Sequence, residues 1–449
     1  MKKLVLSAAV AFLMTTTAMA QDNRDVSAQS GNDNIATTTQ DGDSNENYLL
    51  QWGDENTSTV SQTGDENLST SAQFGINNTG NITQDGIENT STLLQVGDNN
   101  STTVFQKNTQ TPGNFAYTEQ RGDGNTADVN QNGMRDNSSL IFQNGGDNEA
   151  SIIQTNLEQT SEVHQLGNSN EVVVDQRIRN NDAYVFQDGY NNEANVRQRG
   201  HGNEVDIEQI GNGNYAKENT VGNNNMADVY QEGNDNSSIV TRFRDNLTNN
   251  YHNNQAFVEQ LGDDNSSEIR QWGDFNFANA FQDGNDNYSL LKQSGNNNEA
   301  TVTQLGDENR VSSQQSQHFN TLIVAQDGFK NSATEFTHGE RNFVSIDQDG
   351  SQNKSNSYRM GDDNSTFISQ FGSQNESNVS QTGDQNLIGI TQFGTENDVI
   401  TSQLGNDHTA LNIQWGDMNT ATVTQSGANN FHFGGQFGNG NSITVNQSN

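Results

Sequence analysis

The amino-acid sequence predicts an all-β fold. It is a β-solenoid of stacked strand-turn-strand coils built from 11-residue arcs, with two arcs (about 22 residues) per coil, cross-β where coils stack into a fibre. Three observations predict it. The pattern Gln-x-Gly-x-x-Asn recurs every 11 residues over most of the chain from Gln29 to Gln447. Between each Asn and the next Gln, inward and outward residue types alternate with a period of two, the period of a β-strand. A Gly two places after the Gln marks the point where the chain must turn.

The elements begin with residues 1–20. Lys2 and Lys3 precede an apolar run from Leu4 to Met14, and Ala18-Met19-Ala20 is a small-x-small cleavage site. That is the layout of a secretory signal peptide, with an apolar run too short to span a bilayer. Residues 21–28 read as a short N-terminal segment, and 29–449 as one repeat solenoid.

The repeat holds its phase over long distances. Gln29, Gln40, Gln51, Gln62, Gln73, Gln84, Gln95 and Gln106 form the first run; Gln120 and Gln131 follow, then Gln143 to Gln231, then Gln260 to Gln447. Gln fills 34 of these 37 rungs, the exceptions being Thr220, Thr337 and Arg359. Low apolar content with high net charge would by itself indicate disorder, but a register kept this long is the mark of a repeat architecture and overrides it.

In Asn298-Glu299-Ala300-Thr301-Val302-Thr303-Gln304, one face carries Asn, a small residue, an aliphatic residue and Gln, and the other carries residues that suit water. The inward amides predicted to form ladders include Gln51, Asn56, Gln62, Gln187, Asn192, Gln198, Gln293, Asn298, Gln304, Gln414, Asn419 and Gln425. The turn glycines include Gly53, Gly64, Gly189, Gly295 and Gly416, where positive φ is tolerated. One arc buries one aliphatic side chain, worth about 1.5–3 kcal/mol, while fixing its 11 backbones costs on the order of 11–20 kcal/mol. A lone arc therefore cannot fold. Stacked arcs gain two hydrogen-bonding neighbours each, and every inward amide can pair with its copies above and below.

Two stretches leave the phase. Residues 107–119 are lengthened and hold the single Pro, Pro112; residues 232–259 contain Arg242-Phe243-Arg244-Asp245 in place of the motif. Both read as insertions looped out of a continuing stack, with a true boundary near residues 241–256 as the alternative.

The net charge of -37 argues against nucleic acid and anionic membrane surfaces as partners. The absence of Cys removes disulfides and thiol chemistry. The seven His share no rung position or ligand spacing, and no nucleophile, phosphate-loop or zinc motif is present. No catalytic residue, metal site or cofactor is expected; the acidic turns read as solvated decoration, with calcium binding the alternative they leave open. Aromatic residues that follow a rung, among them Trp52, Phe74, Trp272, Phe371, Phe393, Trp415 and Phe437, are expected to pack on the same position of a neighbouring coil.

The run Gln-x-Gly-x-x-Asn-x-Ala-x-Val-x-Gln, nearly whole in Gln187 to Gln198 and Gln293 to Gln304, resembles the curlin repeat of curli fibre subunits. The resemblance covers Gln29 to Gln447 and implies a functional amyloid. Such a chain would be exported by a Gram-negative bacterium, pass a dedicated outer-membrane pore, and polymerise with itself at the cell surface. A nucleator subunit would assist it, and the product would be a fimbrium serving biofilm matrix and adhesion. The segment Ala428–Asn449 contains no Lys or Arg, which favours the major-subunit role over that of a nucleator. The alternative is a monomeric acidic β-solenoid adhesin at the surface, with or without calcium.

Overall fold

The computed structural model describes residues 22–243 and 253–449. The signal-peptide reading of residues 1–20, and 244–252 within the second insertion, lie outside the described residues. All regular elements there are strands, 38 in number. Two strands make a coil of roughly 22 residues, giving about 19 coils of parallel β-solenoid. They belong to two units, residues 1–190 and 191–449.

In the first unit, strands alternate between two parallel sheets, so each pairs with the strand two places on. Gln29 of β1 (Arg24–Ser30) lies beside Gln51 of β3 (Glu46–Asp54), and Gln40 of β2 (Ile35–Asp41) beside Gln62 of β4 (Thr57–Asp65). The two sheets share one core between their inner faces. Residues 108–114 loop out between β8 (Ser101–Lys107) and β9 (Phe115–Arg121) without disturbing the register: Gln95 pairs with Gln120, and Gln106 with Gln131. Asn108 stands where a Gly would be. Its Oδ1 accepts from the Ile87 N–H at 2.8 Å and from Asn89 Nδ2 at 2.9 Å, so a side chain does the work of the missing turn backbone.

The second unit repeats this architecture from β16 (Glu193–His201) to β38 (Ser442–Ser448), the even-numbered strands forming one sheet and the odd-numbered strands the other. Across its insertion, Gln231 of β19 (Met226–Asn234) pairs with Gln260 of β21 (Gln255–Leu261). Burial alternates from Glu299 to the rung Gln304 in β25 (Glu299–Asp307). Because strands stack in register, the aliphatic position forms continuous rows: Val302, Val324, Ile346, Ile368 and Ile390 follow one another on successive odd strands, all fully buried.

Candidate functional site

The buried amides form the most extensive set of side-chain interactions in the molecule. Gln51 Nε2 donates to Gln73 Oε1 at 2.8 Å on the next coil, and to the carbonyls of Ile35 at 3.0 Å and Asn56 at 3.1 Å. Gln62 does the same toward Gln84 at 2.9 Å. In the second unit Gln271, Gln293 and Gln315 continue the pattern at 3.1 Å per step, Gln304 donates to Gln326 at 2.9 Å, and Gln414 to Gln436 at 2.8 Å. Gln425 accepts from Gln403 at 2.8 Å and donates to Gln447 at 2.7 Å. Gln187 is buried and accepts from Gln165 at 3.0 Å; Gln198 is buried and donates to the Asn203 carbonyl at 3.1 Å.

The Asn ladder runs the other way. Asn56 Nδ2 donates to Asn34 Oδ1 on the preceding coil at 3.1 Å and to the Gly75 carbonyl at 2.8 Å. Asn298 donates back to Asn276 at 3.1 Å, and Asn419 to Asn397 at 3.0 Å. Asn192 donates to the Gly211 carbonyl at 2.8 Å, and its Oδ1 accepts from the Asn214 N–H at 3.0 Å. A coil built on the Gln and Asn motif therefore has a direction. Its forward side offers Gln N–H donors and Asn carbonyl acceptors, and its backward side offers Gln acceptors and Asn donors.

Gly53, Gly64, Gly189, Gly295 and Gly416 all have φ between 103° and 132°. Sequence reasoning attributed these glycines to the turn alone. The stack adds a second cause: a Cβ on Gly53 would lie 2.0 Å from the Gly75 carbonyl oxygen of the next coil. The left-handed turn position itself falls two residues later, on side chains such as Glu55 at φ 60° and Glu66 at φ 58°.

The rungs that lack Gln turn out to be related. Arg242, which the sequence places in the second insertion, stands on the rung of β20 (Ser237–Phe243), one coil after Thr220 of β18 (Tyr215–Val221). Arg359 of β30 (Lys354–Met360) stands one coil after Thr337 of β28 (Ser332–His338). In both places a Glu two residues before the Thr occupies the aliphatic position. Arg242 donates to Glu218 Oε1 at 2.9 Å, Thr220 Oγ1 at 3.1 Å, the Met226 carbonyl at 2.7 Å and Gln271 Oε1 at 3.0 Å. Arg359 donates to Glu335 Oε1 at 2.7 Å, Thr337 Oγ1 at 3.0 Å and Ser357 Oγ at 2.9 Å. Thr220 and Thr337 each hydrogen-bond their own Glu. All four charged side chains are at most 3% exposed. Burial pushes the Glu218 carboxyl above its ordinary range, with Arg242 opposing, and draws both Arg242 and Arg359 below theirs. The two Glu-x-Thr motifs, each answered 22 residues after its Thr by an Arg, carry a readable signal in the sequence itself.

Outside the core, Phe371 stacks on Phe393 at 4.9 Å between centroids, and Phe393 lies tilted against Trp415 at 5.0 Å, each at the same position of successive coils. Among the described residues, no group of three or more His, Asp or Glu side chains is placed to hold a metal ion, and no helix is long and apolar enough to cross a membrane.

The curlin associated repeat pattern matches residues 31–64, 53–86, 75–107, 167–200, 189–217, 273–306, 361–394, 394–427 and 416–448, more than half of the chain. The chain belongs to the curlin associated repeat family. No curated protein matches it. Several matched segments of this curlin-repeat chain start 22 residues apart, the length of one coil. Both Glu-x-Thr/Arg clusters fall in the intervals between matched segments, 218–272 and 307–360. Family and fold are structural rather than enzymatic in kind.

Proposed function

We propose that the chain is a structural subunit of an extracellular curli-like amyloid fibre of a Gram-negative bacterium, serving biofilm matrix and cell adhesion. It grows by end-to-end stacking of its own copies. The observation that carries this reading is the direction of the amide ladders. A coil's forward side is complementary to the backward side of any like coil, so the interaction that builds the interior of each unit also joins one copy to the next, head to tail. The buried Gln and Asn rungs, Gln293 and Asn298 among them, are the residues that hold such a fibre. Turn carboxylates act as gatekeepers against unspecific edge pairing. Export through a dedicated outer-membrane pore and a nucleator partner belong to the same proposal.

The test is assembly of the purified chain lacking residues 1–20. It should pass to a β-rich state, bind amyloid dyes and give fibre diffraction at about 4.8 Å and about 10 Å. A chain that stays monomeric and soluble at high concentration would overturn the proposal.

A further inference from the structure

The second unit has two outer faces of opposite charge. On the odd-numbered strands no Lys or Arg points outward among the described residues, while Asp206, Glu208, Asp228, Glu232, Glu259 and Glu299 do, on β17 (Glu204–Asn212), β19, β21 and β25. Crowding on this face is strong enough to raise the Tyr230 hydroxyl to about 12, through its hydrogen bond to Glu232, burial, and the charges of Glu232, Glu208 and Glu259. On the even-numbered strands at the same level, the outward side chains include Arg199, Lys217, Arg270, Lys292 and Arg310, against only Glu193 and Glu268. Farther along, aromatic pairs lie on both faces at one level: Phe336 stacked on Tyr358 at 5.1 Å on the even face, and Phe343 against Phe367 at 5.3 Å on the odd face.

We infer that two copies of this chain associate side by side, with the basic even face of one second unit laid on the acidic odd face of the other. The pairing is dictated by charge. Odd on odd opposes carboxylates, and even on even opposes cations, whereas a sideways translation sets acid against base over β16 to β26 (Arg310–Ser316) and aromatic against aromatic beyond it. Because the two faces differ, the contact is heterologous and leaves each copy a free face of each kind. It therefore extends into a lateral array rather than closing as a dimer. This contact uses strand faces, not coil ends, and is independent of end-to-end stacking.

Charge reversal tests it. Lys217→Glu/Lys292→Glu inverts part of the even face and Glu232→Lys/Glu259→Lys part of the odd face; all four side chains point outward. Assembly is read at about 50 mM ionic strength, where charges are felt beyond 10 Å, by sedimentation velocity and by filament width in electron micrographs. The native chain should give laterally associated species. Each variant alone should lose them while keeping its β-sheet circular dichroism, and an equimolar mixture of the two variants should regain them. Lateral species that persist unchanged in either variant, fail to return in the mixture, or never form in the native chain would overturn the inference. Sedimentation reads side-by-side pairs even where no long fibre grows, so failure of end-to-end stacking is recognised separately.

Discussion

The two buried ion clusters of the second unit are one arrangement in two surroundings. At Glu335 the neighbouring coils contribute hydroxyls: Ser313 Oγ donates to Glu335 Oε2 at 2.6 Å, and Ser357 Oγ accepts from Arg359. At Glu218 the same two positions are Val196 and Val240. Glu218 Oε2 is buried and has no hydrogen-bond partner. A carboxylate inside a stack of single aliphatic layers is thus satisfied or left short by one residue on the coil before it. Both clusters interrupt a ladder whose other rungs are interchangeable, and a buried Arg accepts only a coil bearing Glu and Thr beneath it. A slip of one coil would strand that charge beside a Gln rung, a cost that a slip between identical rungs does not carry.

The largest effect should come from splitting a pair. Glu335→Ala leaves Arg359 buried without its anion and should destabilise the second unit by about 3–5 kcal/mol in denaturant melts. Replacing the whole arrangement with an ordinary rung, Glu335→Val/Thr337→Gln/Arg359→Gln, should instead be neutral or stabilising by up to about 4 kcal/mol. The same melts should then broaden, because a stack of interchangeable rungs admits more than one pairing. A subtler comparison concerns Val196. Val196→Ser places a hydroxyl beside Glu218 and should cost about 1–3 kcal/mol less than Val302→Ser at an equally buried site with no carboxylate to satisfy. The smallest effect is a slope. Because burial raises the Glu218 carboxyl in the folded state above its ordinary 4.5, the folded chain holds that proton more tightly than the unfolded chain. Its contribution is therefore full below the ordinary value and is lost as pH rises through the raised one. Stability measured against pH should fall over that window in the native chain and stay flatter in Glu218→Gln.

Much of this was legible in the sequence. Strand period, arc length, and the inward Gln and Asn follow from residue order, because each arc repeats the same alternation and a stack must place like on like. Gly53 was legible as a turn residue, but its closest constraint is the Gly75 carbonyl one coil away, which no local reading contains. Arg242 was hidden for a different reason. It stands 11 residues after Gln231, in phase with the run, but Arg replaces the rung Gln and no Gly-x-x-Asn follows it, so the motif stops at Gln231 and the rung is recognised when β20 pairs with β22 (Ser266–Trp272).

The sequence by itself determined the coil: its length, its two strands, which side chains face inward, and its membership of a stack, since short-range alternation and an eleven-residue phase are properties of residue order alone. The tertiary structure decided how the coils differ. The direction of the amide ladders, the pairing of Glu218 with Arg242 and Glu335 with Arg359, and the separation of acidic and basic residues onto opposite faces all depend on which arc lies above which. That neighbour is 22 or more residues away, and it is brought into place only by closing each coil upon the one before it.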